Sequence, residues 1–160
     1  MLGVISNSDG RAESVASAVN IFKSAGAEYV IHLGDVGGRH VLDALGENVH
    51  AAFVWGDRDR DRMGLLRYAH SIGVECMGLM GDLDIEGKKI AILHGDDRKL
   101  MRKLLDEQQH DYLLCGHEAT VEDYKVGRTR ILNPGSLRGA QSGSALLLNP
   151  ADGKIQLVPI

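Results

Sequence analysis

The sequence predicts an α/β fold in which a parallel sheet with covering helices is extended by antiparallel hairpins, leaving two stacked sheets open as the arrangement. Three observations predict it. Short apolar runs alternate with longer stretches of helical period through the first half of the chain. A two-residue Glu86-Gly87 turn then separates two strand-like runs. Turn signals recur at close intervals to the end, at Val126-Gly127, Asn133-Pro134-Gly135, Asn149-Pro150 and Asp152-Gly153.

The elements follow in order. Leu2–Ser6 is a short apolar run and the first expected strand. Ala12–Ala25 places Val15, Val19, Ile21, Phe22 and Ala25 on or near one helical face, and Gly26 ends it. Tyr29–Leu33 is the second strand, with a shorter helical stretch around Val41–Leu45. Ala51–Trp55 is the third strand. Arg60–Ile72 is the next helix, with Met63, Leu66, Tyr68 and Ile72 as its expected buried face and Gly73 as its stop. This βαβαβα order is that of a parallel sheet. Met80–Ile85 and Lys88–Leu93 form the hairpin, followed by a charged helix over Arg98–Glu107 and a strand over Tyr112–Cys115. Antiparallel strands are expected near 120–125, 128–132, 144–148 and 154–158. No solenoid repeat, low-complexity tract or linker interrupts the chain, so residues 1–160 are expected to form a single domain.

Composition narrows the function. The chain is 44% apolar and 25% charged, which is enough to build a core. Eighteen basic against 22 acidic residues give a net charge of −4. That balance disfavours nucleic acid, except as a short nucleotide substrate. No apolar run approaches the roughly 20 residues of a membrane span. The chain enters its first strand with no basic leader, so a cytoplasmic setting and no membrane partner are the expectation. A homo-oligomer is left open.

Five apolar runs end alike. Val4-Ile5-Ser6 is followed by Asn7, and Leu33-Gly34 by Asp35. Trp55-Gly56 is followed by Asp57, His94-Gly95 by Asp96, and Cys115-Gly116 by His117. Ligands of open α/β sheets bind at the carboxyl ends of the strands, where a glycine lets the chain turn and another group approach. Any single Gly-Asp there is an ordinary turn or helix cap. Turn chemistry does not require the recurrence over five ends, and five such residues at one edge would build a metal site. Carboxylate, amide and imidazole donors suit manganese, iron, zinc or magnesium more than copper. Arg58, between Asp57 and Asp59, either pairs with those acids or contacts an anionic substrate. His32 lies within a strand and reads as a satisfied core histidine. His40, His50, His70 and His110 have no partner spacing.

Other chemistries lack their signatures. There is no GxxxxGK[ST] loop, and no GxGxxG opens a helix after the first strand. No GxSxG elbow surrounds Ser6, Ser8 or Ser136. Cys115 lies near His117, but a cysteine inside an apolar strand is packing rather than a nucleophile.

The strand-end residues resemble the calcineurin-like metallophosphoesterase superfamily, and within it the small phosphodiesterase branch of bacteria and archaea. The resemblance runs along the whole chain. It rests on Asn7-Ser8-Asp9, Gly34-Asp35, Gly56-Asp57-Arg58-Asp59, His94-Gly95-Asp96, Gly116-His117-Glu118-Ala119 and Asn133-Pro134-Gly135-Ser136. The last segment matches the family's closing N-P-G-S intact. The resemblance implies a four-layer αββα sandwich of two mixed sheets flanked by helices.

It also implies ligand sets. Asp35, Asp57, His94 and His117 fall where the family holds one metal, with Asp57 standing for the family's Asn. The other metal would fall to Asn7, Asp9, Asp35 and position 119, where Ala119 replaces a histidine. Family chemistry clamps phosphate between two metals about 3.5–4 Å apart and activates a water for in-line attack. The resemblance therefore implies a divalent-metal-dependent phosphoesterase with one sound site (Mn, Fe, Zn, Ni or Mg) and one weakened site. Its substrate would be a small or nucleotide-like phosphodiester. Asp35, Asp57 and His94 would serve catalysis, and Arg58 would contact the phosphate. Asp9, Asp96 or Glu118 would be the residues to fill the gap at Ala119. The alternative is a weak or inactive phosphoesterase-like scaffold that binds a protein partner.

Overall fold

The computed structural model describes residues 1–47, 49–138 and 143–160. The chain begins with β1 (Leu2–Ile5), α1 (Ala12–Ser24), β2 (Tyr29–His32), α2 (Arg39–Gly46) and β3 (His50–Phe53). Next come α3 (Arg62–Ser71), β4 (Glu75–Cys76), β5 (Met80–Ile85), β6 (Lys88–Leu93), α4 (Arg98–Glu107) and β7 (Tyr112–Cys115). The last strands are β8 (Val121–Val126), β9 (Thr129–Pro134), β10 (Ser144–Leu148) and β11 (Ile155–Pro159).

The strands form two mixed sheets. One has the order β11-β10-β1-β2-β3-β4 and the other β5-β6-β7-β9-β8. The first is parallel from β1 to its edge strand β4, with antiparallel β10 and β11 at the other margin, and the second has a parallel centre β6-β7-β9 with antiparallel β5 and β8 at its two margins. Three apolar clusters fill three interlayer spaces. Alternate residues of a strand face opposite ways, so Val4 and Ile5 of β1 enter different clusters. Ile5 packs with Val15, Val19 and Phe22 of α1, outside the first sheet. Val4 meets Ile31, Ile90, Ile92 and Leu114 between the sheets. Ala91, Leu93 and Leu113 pack on Leu104 of α4, outside the second. This is the four-layer αββα sandwich.

Local chemistry sets the turns. Glu86 (φ 53°) and Gly87 (φ 74°) are both left-handed, as a type I′ hairpin turn requires. Asp97 caps α4 by accepting from the amides of Lys99 and Leu100.

Two expectations need correction. The buried face of α3 is Gly64, Leu65 and Ala69, while Met63 is 63% exposed and Leu66 and Ile72 also face solvent. Leu65 and Ala69 carry the helix onto the core and the expected Tyr68 packs beside them half-buried, while the other large apolar residues point outward. Ile21 and Ala25 are likewise exposed, so the buried stripe of α1 is narrower than expected, at Val15, Ala18, Val19 and Phe22. The two-residue β4 lies beyond the reach of periodicity.

Candidate metal centre

The parallel strands of both sheets end at one edge of the sandwich. Asn7 follows β1, Asp35 follows β2, Asp57 follows β3, His94 follows β6 and His117 follows β7. Backbone bonds join the loops beyond the strand ends, from Asn7 N to Gly34 O, Asp9 N to Asp35 O and Gly116 N to His94 O. Asn7, Asp9, Asp35 and His117 all have positive φ, between 45° and 62°. Such conformations cost energy outside glycine and cluster where a site demands them.

Gly34 and Gly56 allow the close approach. A Cβ on Gly34 would lie 2.6 Å from the Gly56 nitrogen and 2.7 Å from His94 Nδ1. On Gly56 it would collide with the Asp35 carboxylate. Asp59, only 5% exposed, fixes the same region. It accepts from the amides of Asp35 (3.0 Å), Gly37 (3.2 Å) and Gly56 (2.9 Å). Asn133 does this for the other sheet, donating to the carbonyls of Gly116 and Glu118 and accepting from Gly135 N.

Asp57, His94 and His117 bring one ligand atom each within 4.8 Å of one another. Asp57 Oδ1 lies 3.1 Å from His94 Nε2 and 3.5 Å from His117 Nδ1, and Asp35 Oδ1 lies 3.6 Å from His94 Nε2. Two donors therefore come from loops of the first sheet and two from the second. His94 also crosses between the sheets, its Nδ1 being 2.6 Å from the Leu33 carbonyl oxygen. A carbonyl only accepts, so Nδ1 carries a proton and Nε2 is left facing two carboxylate oxygens. A ring nitrogen and carboxylate oxygens this close need a proton or a cation between them. Asn7 adds an orphan. Its Nδ2 donates to the His117 carbonyl, while Oδ1 is buried and meets no donor among the described residues. The Asp35, Asp57, His94 and His117 donors fit a divalent cation.

The carboxylates differ. Burial pushes Asp35 up from the usual carboxylate range, against the Arg58 amide and the His94 ring. Burial also acts upward on the more exposed Asp57, but His94, a backbone hydrogen bond and His117 outweigh it and hold its carboxyl low.

The remaining expected residues are elsewhere engaged. Asp9 accepts from Arg58 Nη1 at 3.1 Å and from Arg138 Nε, and Arg138 Nη2 reaches Asp35 Oδ2 at 3.2 Å. The Arg58 backbone amide donates to Asp35 Oδ1. Asp96 and Glu118 are exposed and make no bond to the centre among the described residues. Sequence reasoning missed Arg138, which follows a sixth strand end, that of β9. Cys115 is buried packing, its thiol pushed up to about 12 by burial and by Glu122.

His32 is a satisfied core histidine. It accepts from Gly34 N at Nδ1 and meets Ser8 Oγ at 2.7 Å through Nε2. Burial, with a smaller effect of His94, pushes it from 6.5 down to about 3. The unfolded chain therefore binds a proton here between about pH 6.5 and 3 that the folded chain does not. Stability is expected to fall as pH drops through this window, by up to about 1.4 kcal/mol per pH unit from this group. Urea titrations at several pH values check this, and His32→Gln should flatten the slope.

A family model for the calcineurin-like phosphoesterase superfamily domain matches residues 1–152. The chain belongs to that superfamily. Among curated superfamily relatives, the phosphodiesterase MJ0936 of Methanocaldococcus jannaschii is 24% identical over 147 residues, covering 89% of this chain and 87% of the relative. The superfamily fold recurs in solved structures. A novel archaeal phosphodiesterase superposes with a TM-score of 0.91 at 20% identity, over 99% of both chains. Vps29 from Entamoeba histolytica, solved in complex with zinc, superposes at 0.60 with 20% identity, over 99% of this chain and 97% of that one. Superfamily membership and the phosphodiesterase relative support the expectation of a hydrolase acting on phosphate esters. No helix among the described residues is long and apolar enough to cross a membrane.

Proposed function

We propose that this chain is a divalent-metal-dependent phosphodiesterase acting on a small or nucleotide-like phosphodiester. Asp35, Asp57, His94 and His117 hold the cation. The observation that carries this reading is the His94 ring, whose Nε2 faces two carboxylate oxygens while its Nδ1 is committed to Leu33. The mixed nitrogen and oxygen donors suit manganese, iron, zinc, nickel or magnesium more than copper. Such a cation, once bound, supplies Lewis acidity toward a phosphoryl oxygen and acidifies a water for in-line attack.

The chain's own groups orient the ester. The Leu33 carbonyl fixes the His94 ring, and the Arg58 amide fixes Asp35 Oδ1. Arg58, half exposed, keeps further N–H donors for a phosphate oxygen. It also lines a cavity of about 330 Å³ in which Arg39 and Arg60 stand beside Asp59 and Asp61, leaving room and one net positive charge for the rest of an anionic substrate. The free cysteines Cys76 and Cys115 accord with a reducing, cytoplasmic setting.

Turnover of bis(p-nitrophenyl) phosphate is the test, with manganese, nickel or magnesium added to chelator-treated protein. Metal-dependent hydrolysis is expected, and Asp35→Asn should abolish it while tolerating the left-handed backbone (φ 58°) that aspartate occupies. Absence of turnover with every metal would overturn the reading. One observation favours the second reading, a scaffold that binds a protein partner: Asp9, expected as a ligand, is held by two arginines.

A further inference from the structure

Position 119 is alanine where the family resemblance implies a histidine ligand, and the carboxylates of Asp9 and Asp35 stand beyond the ends of β1 and β2. Two guanidinium groups already occupy their oxygens. Arg138 bonds Asp9 through Nε and Asp35 through Nη2, forming a bridge between two acids at the ends of β1 and β2. Arg58 Nη1 adds to Asp9. A bridging cation shared by carboxylates is the arrangement a second metal ion would make.

We propose that Arg138 stands in place of a second metal, so that the centre takes one divalent ion per chain and uses the Arg138 guanidinium as the other positive group on the phosphate. This rests on the metal reading given above. Three lines of chemistry carry it. The first is occupancy: Asp9 Oδ2 and Asp35 Oδ2 are already bridged by the Arg138 guanidinium. The second is geometry. A guanidinium has five N–H donors in a planar fork, and two of them hold the acids, which leaves three facing other directions for a phosphate oxygen.

The third line is charge. Asp9, Asp35, Asp57 and Asp59 against Arg58 and Arg138 leave two net negative charges. A single dication neutralises them, and a second would leave two positive charges uncompensated.

Titration calorimetry of Mn²⁺ into the chelator-treated chain tests the stoichiometry, followed by titration of inorganic phosphate at one equivalent of Mn²⁺. Wild type is expected to bind one equivalent. Arg138→Ala should free Asp9 and Asp35 for a second, weaker equivalent, and at one equivalent should bind phosphate at least about tenfold more weakly. Arg138→Lys keeps the charge without the fork, so it should stay at one equivalent and still lose phosphate affinity. Arg138 is 44% exposed in its side chain, which makes both variants compatible with the fold. Two equivalents in wild type, or an Arg138→Ala variant unchanged in both measurements, would overturn the proposal. Two equivalents together with turnover would leave the phosphodiesterase reading standing. One equivalent without turnover would overturn that reading instead, and would leave Arg138 as the occupant of the second place.

Discussion

Replacing His117 with alanine is expected to lower Mn²⁺ affinity by at least about 100-fold. Losing even a residue that supports a metal ligand costs about 10–100-fold, and His117 presents its own nitrogen to the cluster. Turnover at limiting metal should fall in step. His117 suits the test because its side chain is 40% exposed, so truncation opens no cavity. The melting temperature of the metal-free protein should barely move, within the ±0.5 kcal/mol usual for surface changes. Calorimetric titration beside a thermal melt separates the two effects. Unchanged Mn²⁺ affinity would place the ion away from Asp57 and His94.

Asp59→Ala is expected to act the other way, on the fold before the chemistry. Its carboxylate answers three backbone N–H groups, two of them in the buried strand-end turns at Asp35 and Gly56. Each stranded donor costs about 1–3 kcal/mol. The sum is at least about 3 kcal/mol, a fall of about 6–12 °C in melting temperature for a chain of this size. Asp59→Asn should recover part of it, since the amide oxygen still accepts. Circular dichroism melts of both variants are the measurement. An alanine variant that melts like wild type would show that these turns are held by other means.

The layers were legible because a strand buried on both faces is a continuous apolar run. Leu2–Ile5, Tyr29–His32 and Tyr112–Cys115 are such runs, and their ends are marked by a small residue (serine or glycine) and then a polar one. The cluster of Asp57, His94 and His117 was legible for the same reason, since each residue directly follows a strand or its glycine. Arg138 was not. Its partner Asp9 lies 129 residues away, and nothing in the local sequence separates it from other basic residues in loops. The role of Asp59 was hidden too, because a third acid after a strand looks the same whether it faces solvent or three amides. The α3 face failed for a different reason. Leu65 and Ala69 enter the core while Gly64 closes on its own cap residue Asp61, and small residues carry almost no weight in an amphipathic pattern.

The origin of the four donors has a dynamic consequence. Asp35 and Asp57 belong to one sheet and His94 and His117 to the other, with an apolar interior between the sheets behind them. An ion gripped there is a cross-tie, and the layers cannot part at that edge without letting it go. Its binding energy then opposes precisely those openings that separate the sheets, and adds nothing against fraying within either one. The residence time of a bound ion would then be a clock for how often the sandwich breathes at this edge.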